Sequence, residues 1–154
     1  MVLESRRITI DASLAINFVI PAQPYHAQTV ALIHSCASRL LALIAPPLFE
    51  SEADSVIRRY VYQGLLDPDA GKAAQDLLNA LPVSIIHDAR VREHARQIAE
   101  AFNQDRVYDT TYAALADLLG CAFWTADRAF HRDVKDVLEY VRFVGESVTT
   151  QSWH

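Results

Sequence analysis

The stretch Ile8-Thr9-Ile10-Asp11-Ala12-Ser13-Leu14-Ala15-Ile16-Asn17-Phe18 sets apolar, β-branched residues before a single carboxylate and an apolar run directly behind it. The β-branched residues favour a strand over 7–11. The run after them favours a short helix from about Leu14 that ends before Pro21. Asp11 therefore stands where a buried strand meets a buried helix. An acid there either caps the helix, with Ser13 as a competing cap, or belongs to a site.

Working outward, the same alternation of short apolar runs and helical patterns recurs. A helix is predicted over 25–38, with Val30, Ile33, Ala37 and Leu41 near helical spacing. The run Leu40 to Ala45, bounded by Pro46 and Pro47, reads as a buried strand. A long helix follows over 47–63 and stops at Gly64. The next one spans Pro68 to about Ala80, with Asp67 as N-cap and proline at the first helical position. Residues 82–86 form a short strand, after which Asp88 is expected to cap a helix reaching about Asn103. The segment after Arg106 is helical and is closed by Gly120. Residues 121–127 hold a strand ending in a second aspartate, Asp127. A helix from Ala129 to about Leu138 and a last strand over 140–144 complete the series. Five short apolar strands separated by helices predict an α/β domain whose mostly parallel sheet is covered on both faces. Ligands bind such sheets just beyond the carboxyl ends of the strands. Asp11 and Asp127 both fall at such ends.

The bulk properties fit that reading. The chain has 154 residues, 51% apolar and 21% charged, with four glycines and no low-complexity tract. This suits one globular domain with a real core. No apolar run is long enough to span a bilayer, and the charges in MVLESRRITI oppose a secretory signal, so a soluble cytoplasmic protein is expected. Cys36 and Cys121 lie in apolar contexts and are expected to be buried and reduced. The formal net charge is −5, with twelve Arg against two Lys. Net charge is a weak argument against a nucleic-acid partner if cations neutralise an acidic site. Arginine also offers a planar fork suited to phosphate. The arginines best placed to meet a nucleic acid, Arg58, Arg59, Arg106, Arg128 and Arg132, are scattered along the chain.

Periodicity then separates the acids. In PPLFESEADSVIRRYVYQG, an apolar stripe runs through Leu48, Phe49, Ala53, Val56, Ile57 and Tyr60. Glu52 lies in that stripe, whereas Glu50 and Asp54 point elsewhere. A carboxylate on a core-facing stripe needs a partner or a metal, unless it reaches solvent at the stripe's edge. In the helix after Arg106, Asp109 shares a face with Tyr112, Ala113 and Ala116, while Asp117 reads as exposed. Asp109 also fits a structural role, since acids are favoured in a first helical turn. Asp127 likewise fits an N-cap.

Converging carboxylates repel and raise one another's pKa, which a divalent cation relieves. An all-oxygen site suits Mg²⁺ or Mn²⁺, with substrate phosphate completing the shell. Such ions activate water for in-line attack on a phosphodiester and neutralise the departing oxygen. Ser13 and Thr125 each stand two residues from a strand-end acid, where a hydroxyl can orient a carboxylate or a metal-bound water. Phosphate-cradling glycine loops, a G-x-S-x-G elbow and zinc-spaced histidines are all lacking. His131 is expected at the surface.

ITIDAS, PPLFESEADSVIRR, VYDTTYAALADLLG and WTAD, in that order and spacing, resemble the four acidic motifs of PIN domains. The pattern is similar to the VapC-type toxins of toxin–antitoxin pairs. The resemblance covers nearly the whole chain and implies a single PIN-like domain over 1–145, followed by a tail over 146–154. It implies a three-layer α/β/α fold and a Mg²⁺- or Mn²⁺-dependent endoribonuclease. Asp11, Glu52, Asp109 and Asp127 would be its catalytic, metal-binding quartet, with Thr125 as the accompanying hydroxyl. It also implies a homodimer held inactive by a cognate antitoxin. Ser55 departs from the asparagine that many relatives carry three residues after the helix glutamate. A catalytically inert PIN-like binding or regulatory module is the alternative, and a phosphoacceptor receiver domain is disfavoured because both lysines, Lys72 and Lys135, fall in helical segments.

Overall fold

A computed structural model describes residues 6–146; the expected tail falls outside the described residues except for Glu146, which lies in a bend. Five parallel strands form one sheet: β1 (Arg7–Ile10), β2 (Ala42–Ala45), β3 (Val83–Ile85), β4 (Phe123–Thr125) and β5 (Val141–Phe143). Their spatial order is β3-β2-β1-β4-β5. The register sets Ile8 beside Leu43 and Thr9 beside both Ile44 and Phe123. Helices α1 (Ala12–Val19) and α2 (His26–Ser38) connect β1 to β2, and α3 (Leu48–Tyr62) and α4 (Pro68–Ala80) connect β2 to β3. The chain then returns through α5 (Val91–Ala101) and α6 (Tyr108–Leu119) to β4, and through α7 (Arg128–Val134) to β5. Strand order advances one way from β1 to β3 and the other way from β4 to β5. Right-handed crossovers therefore place the two sets of helices on opposite faces of the sheet. This is the expected α/β architecture.

β1 is central, and Ile10, Leu14, Ala45, Ala113, Leu115 and Phe123 are fully buried around it. Tyr112 stacks on Phe123 at 5.8 Å between centroids, joining α6 to the middle of the sheet. Cys36 and Cys121 are both buried and free, as expected. Gly120 ends α6 at φ +66° and Gly64 follows α3 at φ +74°, left-handed conformations that favour glycine. Asp67 caps α4 by accepting a hydrogen bond from the Ala70 amide at 2.8 Å. Among the described residues, no helix is long and apolar enough to cross a membrane.

Several local expectations are corrected. The buried face of α2 is Thr29, Leu32, Ile33 and Cys36, with Ala37 exposed. Thr29 can face inward because its hydroxyl donates to the Tyr25 carbonyl at 2.8 Å. β2 begins at Ala42, since Leu40 turns the chain out of α2 at φ +57° and is 76% exposed. Asp88 does not cap α5. Its carboxylate accepts from the Arg90 amide and grips the Arg90 guanidinium at 3.0 and 2.7 Å, building a turn before the helix starts at Val91. α7 stops at Val134 and passes into turns. His131 is buried, not at the surface, because α7 turns it inward with Phe130 and Val134 and stacks it on Phe143.

Candidate active site

The strand order reverses between β1 and β4, and the crevice at such a switch point is where open parallel sheets bind ligands. Asp11 directly follows β1, and Asp127 stands two residues beyond β4. α3 starts just after β2 ends, and α6 runs back to feed β4. The N-terminal parts of both helices therefore lie at this same edge, bringing with them Glu52, in the second turn of α3, and Asp109, in the first turn of α6.

Asp11 is 3% exposed and fully engaged by its neighbours. Its Oδ1 accepts from the Leu14 amide at 2.9 Å and from the Ser13 hydroxyl at 2.7 Å. The Thr125 hydroxyl donates to Oδ2 at 2.5 Å. Asp11 thus caps α1 and also faces the crevice; Ser13 is not the cap. Both hydroxyls carry a second bond across the switch point. Ser13 Oγ accepts from the Ala126 amide at 3.1 Å, and Thr125 Oγ1 accepts from the Asp127 amide at 3.0 Å. The end of β1 is thereby stitched to the end of β4. Asp127 caps α7, its Oδ1 accepting from the Phe130 amide at 3.0 Å.

Glu52 is half-buried, as its place in the apolar stripe of α3 requires. The Tyr112 hydroxyl donates to its Oε1 at 2.6 Å. Burial, then the adjoining Glu52 carboxylate, pushes the Tyr112 hydroxyl far above its ordinary pKa, so it remains a donor. Residue patterning placed Tyr112 on the packed face but did not reveal this bond. The only signal was a hydroxyl-bearing ring one turn beyond Asp109.

The carboxylate of Asp109, also half-buried, accepts no hydrogen bond within the described residues. Burial first, then the Asp11, Asp127 and Glu52 carboxylates, pushes its pKa up to about 7. Burial raises Asp11 to about 6 against the lowering effect of its three hydrogen bonds, with Asp127 adding a smaller upward push. The four acids are close enough to feel one another's charge. Among the described residues, no Lys, Arg or His forms an ion pair with any of them. Glu50, Asp54 and Asp117 are exposed and apart from this group.

Uncompensated carboxylates sharing a half-buried crevice are a chemically apt donor set for a hard divalent cation. Among the described residues, no three acidic, His or Cys groups are drawn up around one point. A Mg²⁺ ion keeps several waters and takes only one or two carboxylates directly.

Thr125→Val tests the stitching. Valine preserves shape but removes both the bond to Asp11 and the acceptor for the Asp127 amide. Affinity of the site for Mn²⁺ should fall about 10–100-fold, the usual cost of losing a group that orients a ligand. Calorimetric titration with Mn²⁺ measures the loss.

In comparison with known proteins, the family model described as PIN domain matches residues 8–135, from β1 to the end of α7. No curated protein sequence matches the chain.

Proposed function

The chain belongs to the PIN domain family, a family of metal-dependent nucleases, and from that membership we propose a Mg²⁺- or Mn²⁺-dependent endoribonuclease. The observation that carries the proposal is the family match over residues 8–135, a span that includes all four acids. Asp11, Glu52, Asp109 and Asp127 are the residues that would hold the cation. When bound, a divalent ion supplies an activated water for in-line attack on a phosphodiester and charge to stabilise the departing oxygen. The protein's own part is positional. Thr125 and Ser13 fix the Asp11 carboxylate in one orientation, and Tyr112 fixes Glu52. The Phe130 amide holds one oxygen of Asp127.

The finer reading is that this nuclease is the toxin of a type II, VapBC-like toxin–antitoxin pair. It rests on the resemblance of VYDTTYAALADLLG and WTAD to the VapC pattern. Its partners would be RNA as substrate, a cognate antitoxin and a second copy of the chain, in the cytoplasm. The purified protein should cut RNA in Mg²⁺ or Mn²⁺ and stop in EDTA, followed on a gel with total RNA. Cutting that persists undiminished in EDTA contradicts the nuclease assignment. Absence of any Mn²⁺ effect on the melting temperature would favour an inert binding module.

A further inference from the structure

The five arginines expected to meet RNA differ in what already occupies them. Arg106 stands 3.9 Å from Asp105, and Arg132 stands 3.8 Å from Asp133. Arg128 lies over the Phe143 ring at 5.6 Å. Arg58 and Arg59 have no carboxylate within ion-pair distance among the described residues. Their guanidinium groups stand over aromatic rings instead, Arg58 over Tyr62 at 5.7 Å and Arg59 over Tyr60 at 6.0 Å.

Arg58, Arg59 and Tyr62, with Asp54 and Ser55, line a shallow concavity of about 490 Å³ on the outer side of α3. Tyr62 is 79% exposed, so its ring offers a free face to a flat partner. The one acid in the lining, Asp54, already accepts from Gln75 Nε2 at 3.0 Å. The concavity and Glu52 share one helix, α3. Arg59 follows Glu52 by seven residues, two turns along the same side of the helix and about 10 Å along its axis. Ser55 lies between them, and Tyr62 is the next turn beyond Arg59.

We propose that this face of α3 is the track for single-stranded RNA extending from the acid site, with Arg58 and Arg59 on phosphate oxygens and Tyr62 stacked on a base. The proposal rests on the nuclease reading above and names the form of its substrate. Guanidinium forks match phosphate oxygens, and a chain of net charge −5 needs such local cations to admit a polyanion. An exposed tyrosine adds what charge alone lacks, a platform for an unpaired base. A duplex hides its base faces and cannot use it.

The test is binding of a short, fluorescein-labelled, single-stranded oligoribonucleotide to the Asp11→Asn protein, read by anisotropy across a salt series. Arg58→Ala/Arg59→Ala should flatten the slope of log affinity against log salt by about 1.4, at about 0.7 per single-strand phosphate contact. Tyr62→Ala should weaken binding about tenfold with the slope unchanged. Arg92→Ala/Arg96→Ala, a charge-matched change on the exposed side of α5, should alter neither. An unchanged slope in Arg58→Ala/Arg59→Ala, or no binding by the parent protein, overturns the proposal. So does displacement of the strand by polyglutamate as readily as by unlabelled RNA, which would assign the face to an acidic protein segment. Equal binding of duplex RNA with no effect of Tyr62→Ala overturns it as well. This measurement needs no turnover, so failure of the track and failure of the nuclease reading are separately visible.

Discussion

Asp11→Asn is expected to abolish RNA cleavage while leaving the fold intact. The amide oxygen of asparagine can still accept from the Leu14 amide and the Ser13 hydroxyl, so the cap of α1 survives. The Thr125 hydroxyl loses its charged acceptor, but its oxygen has a second lone pair with which to accept from the new amide. What disappears is the negative charge at the end of β1. Cleavage should drop by at least about 10²–10³-fold, the scale on which single charge-stabilising groups act. Asp11→Ala separates the two roles of the residue. It loses the charge and also leaves the Leu14 amide and both hydroxyls without their acceptor. That variant should be inactive and less stable by about 1–3 kcal/mol, seen as a lower melting temperature. If Asp11→Asn cut RNA as well as the parent, Asp11 would be a cap and nothing more.

Asp109→Asn should also abolish cleavage, yet make the metal-free protein more stable at mildly alkaline pH. The folded protein holds the Asp109 carboxyl at about 7, above its ordinary value of 3.8, chiefly by burial and then by three neighbouring carboxylates. A raised carboxyl pKa means that folding favours the protonated acid. The associated stability is fully present below the unfolded pKa and is lost as pH rises through the folded one, here between about 4 and 7. Near pH 8 the parent therefore carries a buried, unpaired charge that asparagine lacks. The gain should be of the order of 1–2 kcal/mol after allowing for solvent screening, or roughly 3–6 °C in melting temperature. It should shrink towards pH 5, where Asp109 is largely protonated in the parent. Thermal melts in EDTA at the two pH values measure both parts. Mg²⁺ should stabilise the parent and have little effect on the variant. A variant less stable than the parent at both pH values would mean that Asp109 is a structural acid of the first turn of α6.

The sheet was legible because its strands lie in short, mostly apolar runs that meet proline, glycine or aspartate within a few residues. The stretch from Ile8 to Phe18 shows this in miniature. Errors arose where a side chain found a partner distant in sequence or local in an unusual way. Thr29 faces the core because its hydroxyl bonds back to Tyr25, which helical periodicity of apolar residues does not register. Asp88 was drawn away from capping by the Arg90 guanidinium. His131 was turned inward by packing on Phe143, a residue of the last strand. Asp11 and Asp127 were readable from strand ends and Glu52 from its helical stripe, whereas Asp109 fitted a first-turn structural acid and was singled out only by the resemblance. The supports of these acids were less readable. The Thr125 hydroxyl reaches Asp11 across 114 residues of sequence, and Tyr112 reaches Glu52 across 60. Only the return of the chain from β3 past β1 to β4 brings those pairs together.

Asp11, Glu52, Asp109 and Asp127 are proposed to hold a divalent cation together. Calorimetric titration with Mn²⁺ near pH 7.5 tests this most directly. The parent should bind Mn²⁺ and release protons as it does so, because Asp109 and Asp11 titrate at about 7 and about 6 and must be ionised to serve as ligands. Asp11→Asn, Glu52→Gln, Asp109→Asn and Asp127→Asn should each weaken binding, with proton release smallest in Asp109→Asn. Mn²⁺ affinity that is absent in the parent, or equal in the parent and all four variants, would contradict the claim.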